Sequence, residues 1–160
     1  MLKQYSKILV AVDGSRESEL AFKKAVEVAK RNEAELLISH IIDVRAFQSI
    51  SSFDETLADE ATAIAKETLN DYITYANEHG LENVSYSIEY GSPKPLLSKQ
   101  LPEERKIDLI MMGATGLNAV ERILIGSVSS YVSRHALCDV LIVRTDLDNR
   151  TLPQKKKEEE

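Results

Sequence analysis

Two kinds of apolar pattern alternate along the chain. Lys7-Ile8-Leu9-Val10-Ala11-Val12 is a short continuous run that ends at Asp13-Gly14-Ser15, a turn signal. Unbroken apolarity over so few residues suits a strand covered on both faces, as in a parallel sheet. Ser15 is a good N-cap, with Glu17 and Glu19 in the first turn, where the helix dipole favours acids. Ala21, Ala25, Val28 and Ala29, with Phe22 and Val26 alongside, then recur at helical spacing to about Arg31. The pattern repeats with a second buried strand, 35–42, and a polar stretch, 45–53, long enough to be a mobile loop. A long helix follows from Asp54 to about His79, with Leu57, Ala61, Ile64, Ala65, Leu69, Tyr72, Ile73 and Ala76 on one face and Gly80 as its stop. Residues 84–90 alternate and predict a third strand, at a sheet edge.

Gly91-Ser92-Pro93 makes the next turn, with Ser92 at the N-cap and Pro93 at the first helical position. The helix to about Glu104 is expected to be irregular near Pro102. Residues 107–112 predict a fourth buried strand, 127–136 a helix, and Val140-Leu141-Ile142-Val143-Arg144 a fifth strand. Five strands alternating with four helices predict a doubly wound α/β sheet with helices on both faces and right-handed crossovers. Ligands of such sheets sit at the carboxyl ends of the strands, where strand order reverses, which directs attention to the turns after Asp13 and after Met112.

Composition narrows the function. At 160 residues, 43% hydrophobic and 29% charged, the chain has the size and balance of one globular domain, expected over residues 1–147. Asp148 to Glu160 is nearly devoid of apolar residues and reads as a solvated tail. A net charge of −6 argues against general binding to nucleic-acid phosphates, and no apolar run approaches membrane-spanning length. Nothing before Lys7 resembles a signal peptide, so a cytoplasmic protein is expected. Cys138 has no partner cysteine, and without a Cys/His cluster a zinc module is excluded. It opens a buried strand with no partner base indicated and reads as a small core residue.

The strongest chemical signal follows the fourth strand. Gly113-Ala114-Thr115-Gly116, nine further residues and then Gly126-Ser127 place half of the six glycines in a fourteen-residue window. Glycines allow positive φ and let backbone N–H groups approach an anion closely. Gly126-Ser127 then opens a helix, whose free amides and dipole favour negative charge, with Ser127 and Ser129 as added hydroxyl donors. The competing reading is structural: Gly113 ends a strand, Gly116 turns the chain and Gly126 lets a helix pack closely.

On these residues the sequence resembles the universal stress protein family, in its nucleotide-binding form, over about residues 5–145. The likeness rests on Val12-Asp13-Gly14-Ser15, on His40-Ile41-Ile42-Asp43, and on Met112-Gly113-x2-Gly116-x9-Gly126-Ser127-Val128, which matches the family's ATP-binding signature. The resemblance implies a five-stranded parallel sheet in the order 3-2-1-4-5, of the adenine nucleotide alpha hydrolase kind. It implies a stress-response regulator that binds ATP or another adenine nucleotide and changes its partner binding. Gly113, Gly116, Gly126 and Ser127 would line the phosphates, with the backbone of Val128 and Ser129 continuing the cradle. Val12 and Asp13 would lie beside the nucleoside, Ile41 would meet adenine through its backbone and side chain, and Met112 would border the sugar. Relatives often carry His or Arg where this chain has Ala114-Thr115, and Arg122 is the single base in the window. Neutralisation of the phosphates would then fall to magnesium, with Asp13 as an outer-sphere partner. In that order the apolar fifth strand, 140–144, closes one edge of the sheet, which favours a homodimer of two such strands paired antiparallel.

Other chemistries fit less well. There is no Gly-x4-Gly-Lys-[Ser/Thr] loop, and no lysine within the glycine window. Phosphoryl transfer draws on Lys, Arg and metal clamps that the window lacks, so strong hydrolysis is not expected. A slow ATPase or nucleotidyl transferase on the same fold remains the alternative. A receiver domain needs an acidic cluster after strand one, where Asp13 stands alone. A flavodoxin phosphate loop is opposed by the acids of Arg16-Glu17-Ser18-Glu19. His40, His79 and His135 are scattered and read as structural or surface residues, with His40 nearest the expected pocket; Asp43 reads as a turn former.

Overall fold

The structure, a computed structural model, describes residues 2–45, 55–114 and 125–151. Its five strands are β1 (Lys7–Ala11), β2 (Glu35–Ile42), β3 (Val84–Tyr90), β4 (Leu109–Gly113) and β5 (Asp139–Val143). They form one sheet in the order β3-β2-β1-β4-β5, and every pairing is parallel. The helices are α1 (Arg16–Asn32), α2 (Glu55–Glu78), a composite α3 spanning 93–105, and α4 (Ser127–His135). This is the doubly wound sheet that the alternating pattern predicts.

Period-two placement of side chains splits the core into two layers. Ile8, Val10, Val12, Leu36, Ile38, Leu109 and Met111 face α1 and α2, where they meet Ala21, Phe22, Ala25, Val26, Leu69 and Ala76. Leu9, Leu37, Ile110 and Met112 face α3 and α4, against Leu97, Leu101 and Val132. Phe22 anchors the first layer: fully buried, it stacks on Tyr72 of α2 at 4.4 Å between ring centroids and meets Tyr75 edge-on at 5.6 Å. Burial pushes the Tyr72 hydroxyl up to about 12, with the nearby charges of Glu19 and Asp13 adding to the shift.

Local chemistry sets the element ends. Ser15 caps α1 by accepting the Ser18 N–H at 3.2 Å, and α1 stops at Glu33 in a left-handed conformation. In α3, Pro93 takes the first helical position as expected, but the Ser92 side chain makes no capping bond. The irregularity expected at Pro102 is a π turn over Leu96–Gln100, where the Leu101 N–H bonds the Leu96 carbonyl five residues back. Proline offers no N–H to the carbonyl of Ser98 and crowds it, so the helix widens just ahead of the ring.

Three expectations change. Ile64, placed on the inner face of the long helix, is 66% exposed, while Leu57 and Ala61 before it are half-buried and Ala65 beside it is buried, so the covered stripe of α2 is narrower than the periodicity suggests. Strands four and five are each displaced from the predicted bounds, to Leu109–Gly113 and Asp139–Val143. Residues 145–151, partly read as tail, fold back as a turn: Thr145 bridges Thr151, and Lys24 Nζ of α1 donates to Thr145 Oγ1 at 2.7 Å and Asn149 Oδ1 at 2.9 Å. The rest of the polar tail and the stretch 46–54 lie outside the described residues.

Candidate functional site

Strand order reverses at β1, which is flanked by β2 on one side and β4 on the other. The crossover through α1 runs on one face and that through α3 on the other, so the switch point of the sheet, where doubly wound folds open a crevice for ligands, lies at the carboxyl ends of β1 and β4. The turn after β1 is built by Asp13-Gly14-Ser15. The Asp13 Oδ1 accepts from the Ser15 N–H at 2.9 Å and the Ser15 hydroxyl at 2.5 Å, an Asx turn that leads directly into the α1 cap. The other Asp13 oxygen has no partner among the described residues, and the side chain is exposed. Gly14 sits at φ +85°, and no atom lies within 4 Å of where its Cβ would be. The turn therefore needs glycine for its backbone and leaves open ground above it.

The glycine segment divides between packing and site. Gly113 is buried at the end of β4, and a Cβ there would meet the Glu17 carbonyl carbon and oxygen at 3.1 Å and its Cβ at 3.2 Å. Its missing side chain makes room for the first turn of α1, a packing demand on this glycine that holds with or without a ligand. Gly126 has φ −58° and ψ 158°, extended backbone that any residue adopts. Its N–H donates to the Ala114 carbonyl at 2.7 Å, so the two ends of the segment are clasped together. Gly116 and the stretch 115–124 lie outside the described residues.

At the start of α4 the first intrahelical bond is Ser130 N–H to the Gly126 carbonyl at 2.9 Å. The amides of Ser127, Val128 and Ser129 precede it and have no helical partner, and Gly126 offers no side-chain cap. The hydroxyl of Ser129 does not point to a ligand as expected: buried, it donates to the Gly113 carbonyl at 2.7 Å and pins α4 to the tip of β4. Ser127 is exposed and Val128 half-buried. Met112 and Val12 have their side chains in the two core layers, so only their backbones reach the crevice rim.

A second set of unpaired backbone groups lies on β2. In the β1–β2 ladder the odd residues of β2 face β1: the Glu35 N–H donates to Ser6 and the Val12 N–H to Ser39, each at 3.0 Å. The even residues face β3, as the Gly91 N–H on the Ile42 carbonyl shows. Ile41 thus presents its N–H and carbonyl toward β1 beyond the last rung, and neither has a partner among the described residues. The Val12 carbonyl that would take the Ile41 N–H accepts instead from His40 Nδ1–H at 2.9 Å. His40 was legible as the histidine nearest the pocket, but this bond was not.

One basic group at this end of the sheet escaped the sequence reading. Arg45 pairs with Asp43 through Nη2–Oδ2 at 2.7 Å and Nε–Oδ1 at 3.0 Å, holding the Asp43 carboxyl below its ordinary range. Asp43 also accepts the Arg45 N–H, as a turn former does. An Asp-x-Arg spacing after a strand is the signal that could have found the pair. Cys138 is half-buried at the margin of the second layer, ahead of a strand whose residues are mostly exposed or half-buried, which corrects its expected place in the core; burial pushes its thiol up, which opposes a nucleophile. Among the described residues no three His, Cys, Asp or Glu side chains are placed to hold a metal ion, and no helix is long and apolar enough to cross a membrane. A cleft of about 230 Å³ lies at the amino ends of β1 and β2, lined by Lys7, Glu35, Leu37, Arg105 and Lys106, far from every residue expected in the site.

Known proteins share both sequence and fold. The model of the universal stress protein family matches residues 4–144. A universal stress protein of Staphylococcus haemolyticus is 49% identical over 142 residues, 89% of this chain and 86% of its own length. Among solved structures, UspA from Lactobacillus plantarum superposes with a TM-score of 0.78 at 32% identity, covering 88% of this chain and 99% of its own. A universal stress protein solved in complex with cAMP superposes at 0.67 and 27% identity, covering 88% of this chain and 97% of its own. With the family match running from the lead-in to β1 through the end of β5, the chain belongs to the universal stress protein family.

Proposed function

We propose that the protein binds an adenine nucleotide, ATP in the first instance, in the crevice at the tips of β1 and β4, and that binding alters a surface read by a protein partner. The observation that carries this reading is the convergence of unpaired backbone groups at one end of the sheet: the first-turn amides of α4, the open ground over Gly14 and the free N–H and carbonyl of Ile41. The amides and the helix dipole suit phosphate, and a donor beside an acceptor suits the edge of adenine. The relative crystallised with cAMP supports an adenine ligand.

In this reading Ile41 meets the base, Val12, Asp13 and Met112 border the nucleoside, and Gly113, Gly116, Gly126, Ser127 and the amides of Val128 and Ser129 surround the phosphates. The free carboxylate oxygen of Asp13 fits one outer-sphere contact to magnesium, an ion that is commonly held by one or two carboxylates together with phosphates. A second copy would pair along β5, whose neighbourhood exposes Leu137 (87%) and Leu141 (40%). Denaturing extraction of the purified protein, followed by mass spectrometry, is expected to release an adenine nucleotide. Calorimetry is expected to show ATP binding that Asp13→Ala weakens by about tenfold, the size of a lost charged hydrogen bond. No retained nucleotide, together with no heat of binding at about millimolar ATP, would remove the reading.

A further inference from the structure

We infer that His40 is a positioning residue for base recognition: by taking the Val12 carbonyl it keeps the Ile41 N–H free, beside the Ile41 carbonyl, to read the edge of an adenine. The inference rests on the nucleotide site proposed above and adds a residue to it. A parallel ladder continued by one rung would join the Ile41 N–H to the Val12 carbonyl. The preceding rung is intact, with the Val12 N–H on Ser39 at 3.0 Å, so Val12 is still held beside β2. Yet its carbonyl accepts from the side chain of His40 at 2.9 Å, and the Ile41 N–H is left unpaired among the described residues.

The chemistry of that bond fixes the imidazole. A carbonyl oxygen can only accept, so Nδ1 carries the proton. The interaction therefore does not depend on whether Nε2 is also protonated. The imidazole takes the Val12 carbonyl that a continued ladder would turn to Ile41, and no bond forms there between the two backbones. What remains at Ile41 is one donor and one acceptor on a single residue, at the edge of the crevice. Adenine presents an amino donor beside a ring-nitrogen acceptor and complements that pair. Guanine presents a carbonyl oxygen in place of the amino group and a ring N–H in place of that ring-nitrogen acceptor, so it sets acceptor against the Ile41 carbonyl and donor against the Ile41 N–H. His40 is thereby tied to base selectivity, with no role in holding phosphate.

The test separates selectivity from folding and from phosphate binding. Affinities for ATP, GTP and inorganic tripolyphosphate are measured by calorimetry on the full-length protein, on His40→Leu and on His40→Asn, whose amide N–H can replace Nδ1–H. The wild type is expected to prefer ATP to GTP by about tenfold or more, and His40→Leu to lose that preference while holding tripolyphosphate unchanged. His40→Asn is expected to restore the preference. Hydrogen exchange without ligand gives an independent reading: the Ile41 amide is expected to be unprotected in the wild type and at least about tenfold slower in His40→Leu, as the ladder closes. An unchanged ATP-to-GTP ratio in a folded His40→Leu protein, or an Ile41 amide already protected in the wild type, would overturn the assignment to His40 and leave the nucleotide site standing. A wild type that binds none of the three ligands would overturn that site and the role of His40 with it.

Discussion

Gly113→Val is expected to lower the unfolding free energy by about 2–3 kcal/mol, read as a fall in the urea midpoint at constant slope. The cause is steric and needs no ligand. A first side-chain carbon at Gly113 meets the Glu17 backbone at 3.1 Å, and backbone cannot rotate aside as a side chain does. Either α1 lifts from the sheet or the tip of β4 retreats, and both movements reach the crevice. The Gly113 carbonyl receives the Ser129 hydroxyl at 2.7 Å, so a shifted tip carries the first turn of α4 with it. Weakened ATP binding in this variant would therefore report displaced α4 amides and says nothing of direct contact by Gly113. A variant that unfolds at the wild-type midpoint would show that the approach of α1 to β4 is looser than the structure describes.

Phe22→Ala is expected to cost more, about 3–5 kcal/mol, the range for emptying a large aromatic site in a core. Phe22 is fully buried and joins α1 to α2 through its stack on Tyr72 and its edge contact with Tyr75. Neither partner can close the gap alone, because Tyr72 and Tyr75 are fixed on a helix that also packs Leu69 and Ala76 against the sheet. The same denaturation experiment measures the loss, and Phe22→Leu should recover a good part of it by refilling volume. A loss below about 1 kcal/mol would mean that α2 collapses freely onto the sheet.

Much of the architecture was legible because buried parallel strands and amphipathic helices leave strong periodic signals. Residues 35–42 appear as β2 with the predicted bounds, and residues 84–90 as β3 at the sheet edge. Pro102 announced the irregularity of α3, since a missing N–H is a local property of the chain. Ile64 failed for the opposite reason. Periodicity assigns a helix face but not its width, and Ile64 lies at the margin of a stripe whose middle, at Ala65 and Leu69, is buried.

The site divides in the same way. Asp13-Gly14-Ser15 is a local turn and was read from the sequence, as was the helix start at Ser127. The partner of Gly113 is Glu17, nearly a hundred residues away, and no pattern around a glycine reveals which distant backbone needs the space. The inward hydroxyl of Ser129 and the bond from His40 to Val12 are likewise tertiary, made by residues whose types alone allow several partners.

The measurement that bears most directly on the nucleotide site is an amide-resolved NMR titration of the full-length protein with magnesium and ATP. Perturbations are predicted at Asp13, Gly14, Ile41, Ser127, Val128 and Ser129, while Lys7, Glu35 and Lys106, around the cleft at the amino ends of the strands, stay unchanged. Shifts gathered at that amino-end cleft, or none at saturating ATP, would contradict a nucleotide held at the tips of β1 and β4.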